Sequence, residues 1–405
     1  MVVAAWPFAV FCPTVQATLA EDSAPLRRSL VPLKGDRLSA TLLSISAEGE
    51  AAFACDSGER RLALGELVAW GSPVEPRAMV QLVLADGGIV VLDDAMPITE
   101  DDWLIAGAET FGTLKLPLKL LAGVMVHSPI DPQRRDQLVA RIMSPVAEKG
   151  DAAAENRDRL FLENGDELRG RVVALTDNGV EFKADVGPLS VERDRLAAIA
   201  FDPTLRAKPS TAPRTLVGFA DGSVISAKSM TLLEGHFELA LLDELPLSAD
   251  DAGPVFVQPL VGRVVYLSDL RPAGYRHLPY LGTPWDYRLD ANVEGTRLRA
   301  GGAIYAKGVG MHSASRLTWQ LDRPYRRFQA DLAIDDQTAN RGSVVFRVFA
   351  GARELYKSPV VRGGDKPLSI AVDLGNARQL SLIVDYADRA DVLDHADWLN
   401  ARLVP

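Results

Sequence analysis

Trp285, His312, Asp335, Asp336, His395, Asp397 and Trp398, all in the last third of the chain, have the side-chain types that carbohydrate recognition uses. A sugar ring offers hydroxyl pairs to planar hydrogen-bonding groups and an apolar C–H side to an aromatic face. Glycoside hydrolysis also uses carboxylates, but it needs two of them facing each other across the substrate. Asp335 and Asp336 are adjacent, so within one strand they would point to opposite faces. The repeats upstream offer no His-Asp-Ser set, no glycine-rich phosphate loop and no metal-ligand spacing. Binding without catalysis is the chemistry these residues suit.

A structural reading competes with this one. The run Asp394 to Trp398 (DHADW) closes the last long loop, where Trp398 can enter the core and His395 can bond backbone, locking the fold. That reading is preferred for Trp398 and His395. For His312, between Gly310 and Ser313 in a glycine-punctuated loop, the two readings balance, because loops on rigid scaffolds carry function. If His312 and Asp335 are exposed contacts, truncating either weakens binding and leaves the thermal midpoint nearly unchanged.

These residues need elements to hold them. Val344–Phe349, Leu368–Leu374 and Leu380–Tyr386 alternate apolar and polar positions and are separated by Gly, Asn and Asp clusters. Strands at that spacing without helical interludes indicate an antiparallel sandwich.

From about residue 279 to 405 the chain resembles the NPCBM family, a carbohydrate-binding module first recognised beside catalytic domains of glycoside hydrolase family 98. The resemblance is carried by Asn292 in DANV, by YAKGVGMHS from Tyr305 to Ser313, by FQADLAIDD from Phe328 to Asp336, by GSVVFRV from Gly342 to Val348, and by DHADW from Asp394 to Trp398. Ala333 stands where the family usually has Gly, and Gly351-Ala352 where it has an Asp-Gly hairpin. The resemblance implies a galactose-binding-like jelly roll with ligand loops at one end, and a glycan or polysaccharide partner. A structural calcium ion held by backbone oxygens and an Asp is compatible with such sandwiches, though the sequence names no ligands for it.

Upstream, one pattern recurs four times, over residues 33–71, 78–127, 159–202 and 214–268. An apolar run enters a Gly turn, alternating strands follow, and a short apolar run closes the unit. Asp86-Gly87, Asn164-Gly165 and Asp221-Gly222 are hairpin signals, since type I′ turns need positive φ. About 40 residues per unit suit a small SH3-like or Sm-like barrel, and pairing of neighbouring units into shared sheets fits equally well. Residues 128–158 read as a short helix plus linker, with Leu138, Ile142 and Val146 at helical spacing. The expected fold is therefore all-β: four small repeats followed by the sandwich.

The balance of 44 Lys plus Arg against 54 Asp plus Glu, with no basic patch, argues against nucleic acid. Cys12 and Cys55 are too few for a disulfide framework or a thiolate zinc site, and Cys55 alternates with polar neighbours as a packed strand residue would. Residues 1–20 have the layout of a signal peptide, with an apolar stretch too short and too proline-interrupted to span a bilayer, although no basic residue precedes it. A secreted or cell-envelope protein is expected. The alternative reading is a structural or adaptor protein of the envelope, whose sandwich and repeats contact other proteins. A hydrolase with an unrecognised site would require carboxylates converging in a cleft.

Overall fold

The computed structural model describes residues 27–144, 157–208, 214–241, 244–249, 253–260, 262–280 and 284–405. The apolar leader and Val146 lie outside them. Among the described residues the protein is nearly all β, with one α-helix, Pro132–Met143. No helix there is long and apolar enough to cross a membrane.

The N-terminal strands fall into four antiparallel groups. Within each, the first strand pairs with both the second and the last: Arg28–Pro32 with Leu38–Ile45 and Leu67–Gly71, and Asp158–Leu162 with Glu167–Thr176 and Leu196–Ala200. Gln81–Leu84 and Thr215–Gly218 do the same in the other two groups. Gly87, Gly165 and Gly222 sit at φ of 88°, 92° and 90°, so the expected turns join paired strands. The closing strands pair across groups: Leu121–Met125 with Leu196–Ala200, and Leu67–Gly71 with Phe256–Pro259. Val224–Leu233 also pairs with Ile89–Val91, which connects the two joined pairs into one 18-stranded sheet and resolves the choice between separate barrels and joined sheets. Edge strands with unpaired N–H and C=O groups are a liability, and such pairing removes them. Cys55, at the end of Glu50–Cys55, is partly buried against this core.

The C-terminal region is two six-stranded antiparallel sheets packed face to face. One runs Arg288–Leu289, Gly308–His312, His395–Val404, Arg327–Ile334, Leu368–Asp373. The other runs Gly274–His277, Ser315–Gln320, Gln379–Tyr386, Ser343–Ala350, Arg353–Lys357. Trp319, Trp398, Phe328 and Phe346 fill the space between them and are fully buried. Strand pairing places the start of this sandwich earlier than residue 279. Val265–Tyr266 pairs with His395–Val404 and Gly274–His277 with Ser315–Gln320, so the stretch read as the end of the fourth unit serves the sandwich instead. The fourth group closes at Phe256–Pro259.

The two halves dock through polar contacts. Arg299 Nη1 donates to Asp136 at 2.6 Å and Arg299 Nε to Glu75 at 2.5 Å, while Arg135 donates to Glu75 at 2.6 Å. Gln258 donates to the Tyr266 hydroxyl at 2.8 Å, and Tyr266 to the Val68 carbonyl. The helix is more than a linker: Leu138 and Ile142 pack with Val83, Met125 and Phe161 of the N-terminal sheet, Asp136 pairs with Arg299 of the sandwich, and Arg135 holds Glu75. Strand His395–Val404 is buried at nearly every position instead of every second one, because the sandwich core covers one face and the docked half contributes to covering the other.

Candidate functional site

His312 ends one strand and His395 begins its neighbour, and the register sets them directly opposite each other. Their ring centroids lie 5.8 Å apart. The Trp285 indole stacks on His312 at 4.9 Å with 2° between planes, and lies 5.5 Å from His395. His277, from the other sheet, meets the His312 edge at 5.8 Å. The Trp285 backbone N–H donates to His277 Nδ1 at 3.1 Å, and Tyr275 donates to the Trp285 carbonyl at 2.7 Å, so the indole is positioned from both sides. Gly310, two residues before His312, lets the Ala291–Asn292 backbone pack close, since a Cβ there would lie 2.5 Å from the Ala291 carbonyl. Of this group Trp285 is half-buried, whereas His312 is only 3% exposed and His395 5%.

A polar layer sits behind the rings. Asp335 accepts from Asn292 at 3.2 Å, from the Arg299 backbone N–H at 3.2 Å and from the Gln337 backbone N–H at 3.0 Å. The Gln337 side chain reaches His395 Nδ1 at 3.3 Å, and Glu294 stands 3.9 Å from His395 Nε2. Asp336 accepts from the N–H groups of Gly301 and Gly302 at 3.0 and 2.8 Å.

Burial sets the charge states. It holds His312 down to about 4, with the neighbouring His395 and His277 adding to the effect, and it lowers His277 and His395 as well. The imidazoles are therefore neutral at neutral pH, and a neutral ring stacks on an indole without carrying charge into a dry site. Burial, then the Asp335 carboxylate, pushes Asp397 well above the usual carboxylate range. Neither Asp397 oxygen accepts a hydrogen bond, and as a protonated acid it can donate to Asp335. Burial likewise raises Asp394, to about 6.

The seven residues read from the sequence thus separate. Trp285, His312 and His395 come together as one cluster. Trp398 is fully buried, 4.9 Å edge-on to Phe346 and 6.1 Å from Phe328, as the fold-locking reading has it. Asp397 is fully buried and Asp335 is 1% exposed, so both act behind the surface. The picture of two acids on opposite faces of one strand is corrected: the strand ends at Ile334, and Asp335 caps the 3-10 turn Asp336–Thr338. His312 and Asp335 are also not the exposed groups that the truncation argument assumed. His277, Glu294 and Gln337 escaped sequence reasoning. His277 lay between the fourth unit and residue 279, and nothing local to it signals a partner 35 positions away. Among the described residues no group of three or more His, Cys, Asp or Glu side chains is placed to hold a metal ion.

Residues 263–404 match the NPCBM/NEW2 domain. Alpha-1,3-galactosidase B of Akkermansia muciniphila is 36% identical over 117 residues, which is 28% of this chain and 15% of that protein. Among solved structures, CBM51-2 in complex with GlcNAc with the INT domains of Clostridium perfringens ZmpB is 24% identical at a TM-score of 0.32, covering 44% of this chain and 40% of that one. The CBM51 from Clostridium perfringens GH95 in complex with methyl-galactose is 21% identical at a TM-score of 0.31, covering 35% of this chain and 99% of that one. The chain spans 8% of the length of one curated relative and 15% of another. Sequence motifs, paired sheets and family match agree on the C-terminal region: residues 263–404 are an NPCBM/NEW2 domain, a carbohydrate-binding module.

Proposed function

We propose that the chain binds glycans without cleaving them, through the end of the sandwich where Trp285 lies. The observation that carries this reading is the partly exposed Trp285 ring laid flat on a buried, neutral His312. Such a ring is rigid before ligand arrives, so little entropy is lost in presenting its outer face to a sugar. Polar groups along the cluster's edge, Glu294 and Gln337, are suited to take hydroxyls. Asp335 and Asp397 would support that edge from behind. In the same proposal the four strand groups are β repeats acting as a scaffold for the module, and the protein works outside the cytoplasm, secreted or in the cell envelope.

The test is a glycan-array screen of the full chain beside Trp285→Ala. Bound glycans that disappear in the variant, at an unchanged thermal midpoint, support the reading. Glycan binding that survives the loss of Trp285 moves the site elsewhere.

The envelope-adaptor reading is favoured by a separate observation: Trp398, Asp397 and Asp394 are fully buried, so much of the motif set serves the fold. An array blank for the parent chain, with an envelope protein retained on it under the same conditions, would support that alternative.

A further inference from the structure

Exposed aromatic side chains that meet in one patch, unlike those scattered singly, mark surfaces that bind. Among the described residues, Tyr280 is 60% exposed and Tyr386 is 50% exposed, and the two rings contact each other at 6.4 Å with 72° between planes. Both lie at the same end of the sandwich as the Trp285 cluster. Three neighbouring strands establish this: His277 is paired with Ser315, and Ser315 with Val384. Tyr280 follows His277 by three positions, and the Leu278 N–H is tied to the Ala314 carbonyl at the turn after His312. Tyr386 lies two residues beyond the fully buried Val384, on the same face of its strand, so its ring emerges at the rim of the core.

The spacing can be bounded. Two strand-to-strand steps of about 4.8 Å and two residues of about 3.3 Å rise put the Tyr386 backbone roughly 12 Å from that of His277. Five residues of chain keep Tyr280 within roughly 17 Å of Trp285. Within these bounds a chain of two to four sugars has room to run from Trp285 to the tyrosine pair. The edge-to-face contact fixes the two tyrosines against each other, and each offers a flat face and a hydroxyl, the combination that takes a sugar ring.

We propose that Tyr280 and Tyr386 form a second sugar-ring contact, so that the module takes an oligosaccharide with one residue on Trp285 and a later one on the tyrosine pair. This rests on the glycan-binding reading above and adds the length of the ligand to it. No new charge is needed at the second contact. Specificity there comes from ring shape and reach.

Calorimetric titration of the full chain tests the proposal with four probes: methyl galactoside, N-acetylglucosamine, and one tetrasaccharide ending in each sugar. The expected result is a tetrasaccharide bound about tenfold more tightly than its terminal sugar, one good aromatic contact's worth. Tyr280→Ala and Tyr386→Ala should abolish that gain while leaving monosaccharide affinity unchanged; both rings are exposed, so neither change threatens the fold. Two outcomes overturn this inference alone and leave the glycan site standing: a parent chain that binds mono- and tetrasaccharides equally, or a gain that persists in the double variant. Failure of the parent to bind any of the four, with glycans captured on the array through Trp285, rejects this ligand class. Failure on the array as well rejects the underlying reading and this inference together.

Discussion

Acid is the perturbation that addresses the imidazole cluster most directly. His312 has a folded value near 4 against 6.5 in the unfolded chain, so its contribution to stability is complete above 6.5 and is lost as pH falls through 4. Between pH 7.5 and 4.5 that loss amounts to about 2.5 kcal/mol, from about 1.4 kcal/mol per unit of differential proton binding. Asp394 works the other way. Its folded value is raised from 3.8 to about 6, so its contribution is complete below 3.8 and is lost as pH rises through 6. Over the same acidification it returns about 2 kcal/mol. The two nearly cancel, and the parent should show a shallow pH profile from this pair.

Substitution separates the two effects. Compared with the parent over the same acidification, His312→Gln should keep about 2.5 kcal/mol more stability and Asp394→Asn about 2 kcal/mol less. Burial also shifts the neighbouring His277 and His395 downward and Asp397 upward. They are present in parent and variants alike and largely drop out of the differences. Urea denaturation at pH 7.5, 6.0 and 4.5 gives these quantities, and an NMR titration of the His312 ring gives the pKa itself. Parallel profiles for parent and His312→Gln, or an imidazole titrating near 6.5, would refute the account of a dry, neutral ring beneath Trp285.

Trp398→Ala should cost about 3 to 5 kcal/mol of sandwich stability, because a fully buried indole between two phenylalanines leaves a cavity; denaturant midpoints measure it, and a loss under about 1 kcal/mol would contradict core packing. Gly310→Ala forces the backbone away from the Ala291 carbonyl, so a loss of about 1 to 3 kcal/mol is expected together with a shift of the Trp285 fluorescence; an unchanged spectrum would separate the glycine from the cluster. Asp136→Asn breaks the contact with Arg299 at the junction of the halves, with an expected cost of about 3 kcal/mol and faster proteolysis between them; a variant as resistant as the parent would mean that the Glu75 contact suffices.

Local chemistry made much of this protein legible in its sequence. Asp-Gly and Asn-Gly turns announce hairpins because few residues tolerate positive φ, and period-two alternation in Val344–Phe349 announces a strand with one buried face. The DHADW run also declared that something was held there. Its division of labour was not readable, because whether His395 meets Trp285 or backbone depends on register with Gly308–His312 across some 80 residues of chain. Only the folded sheets set His312 opposite His395, brought His277 from the second sheet, and drew Asp335 inside to face Asp397. The joining of the strand groups, through closing strands in pairs and through Val224 with Ile89 between the pairs, and the docking of Glu75 and Asp136 on Arg299, were likewise decided in three dimensions. Short-range sterics act between neighbours and can be read in order along the chain; burial and electrostatics act between residues that only tertiary packing makes neighbours.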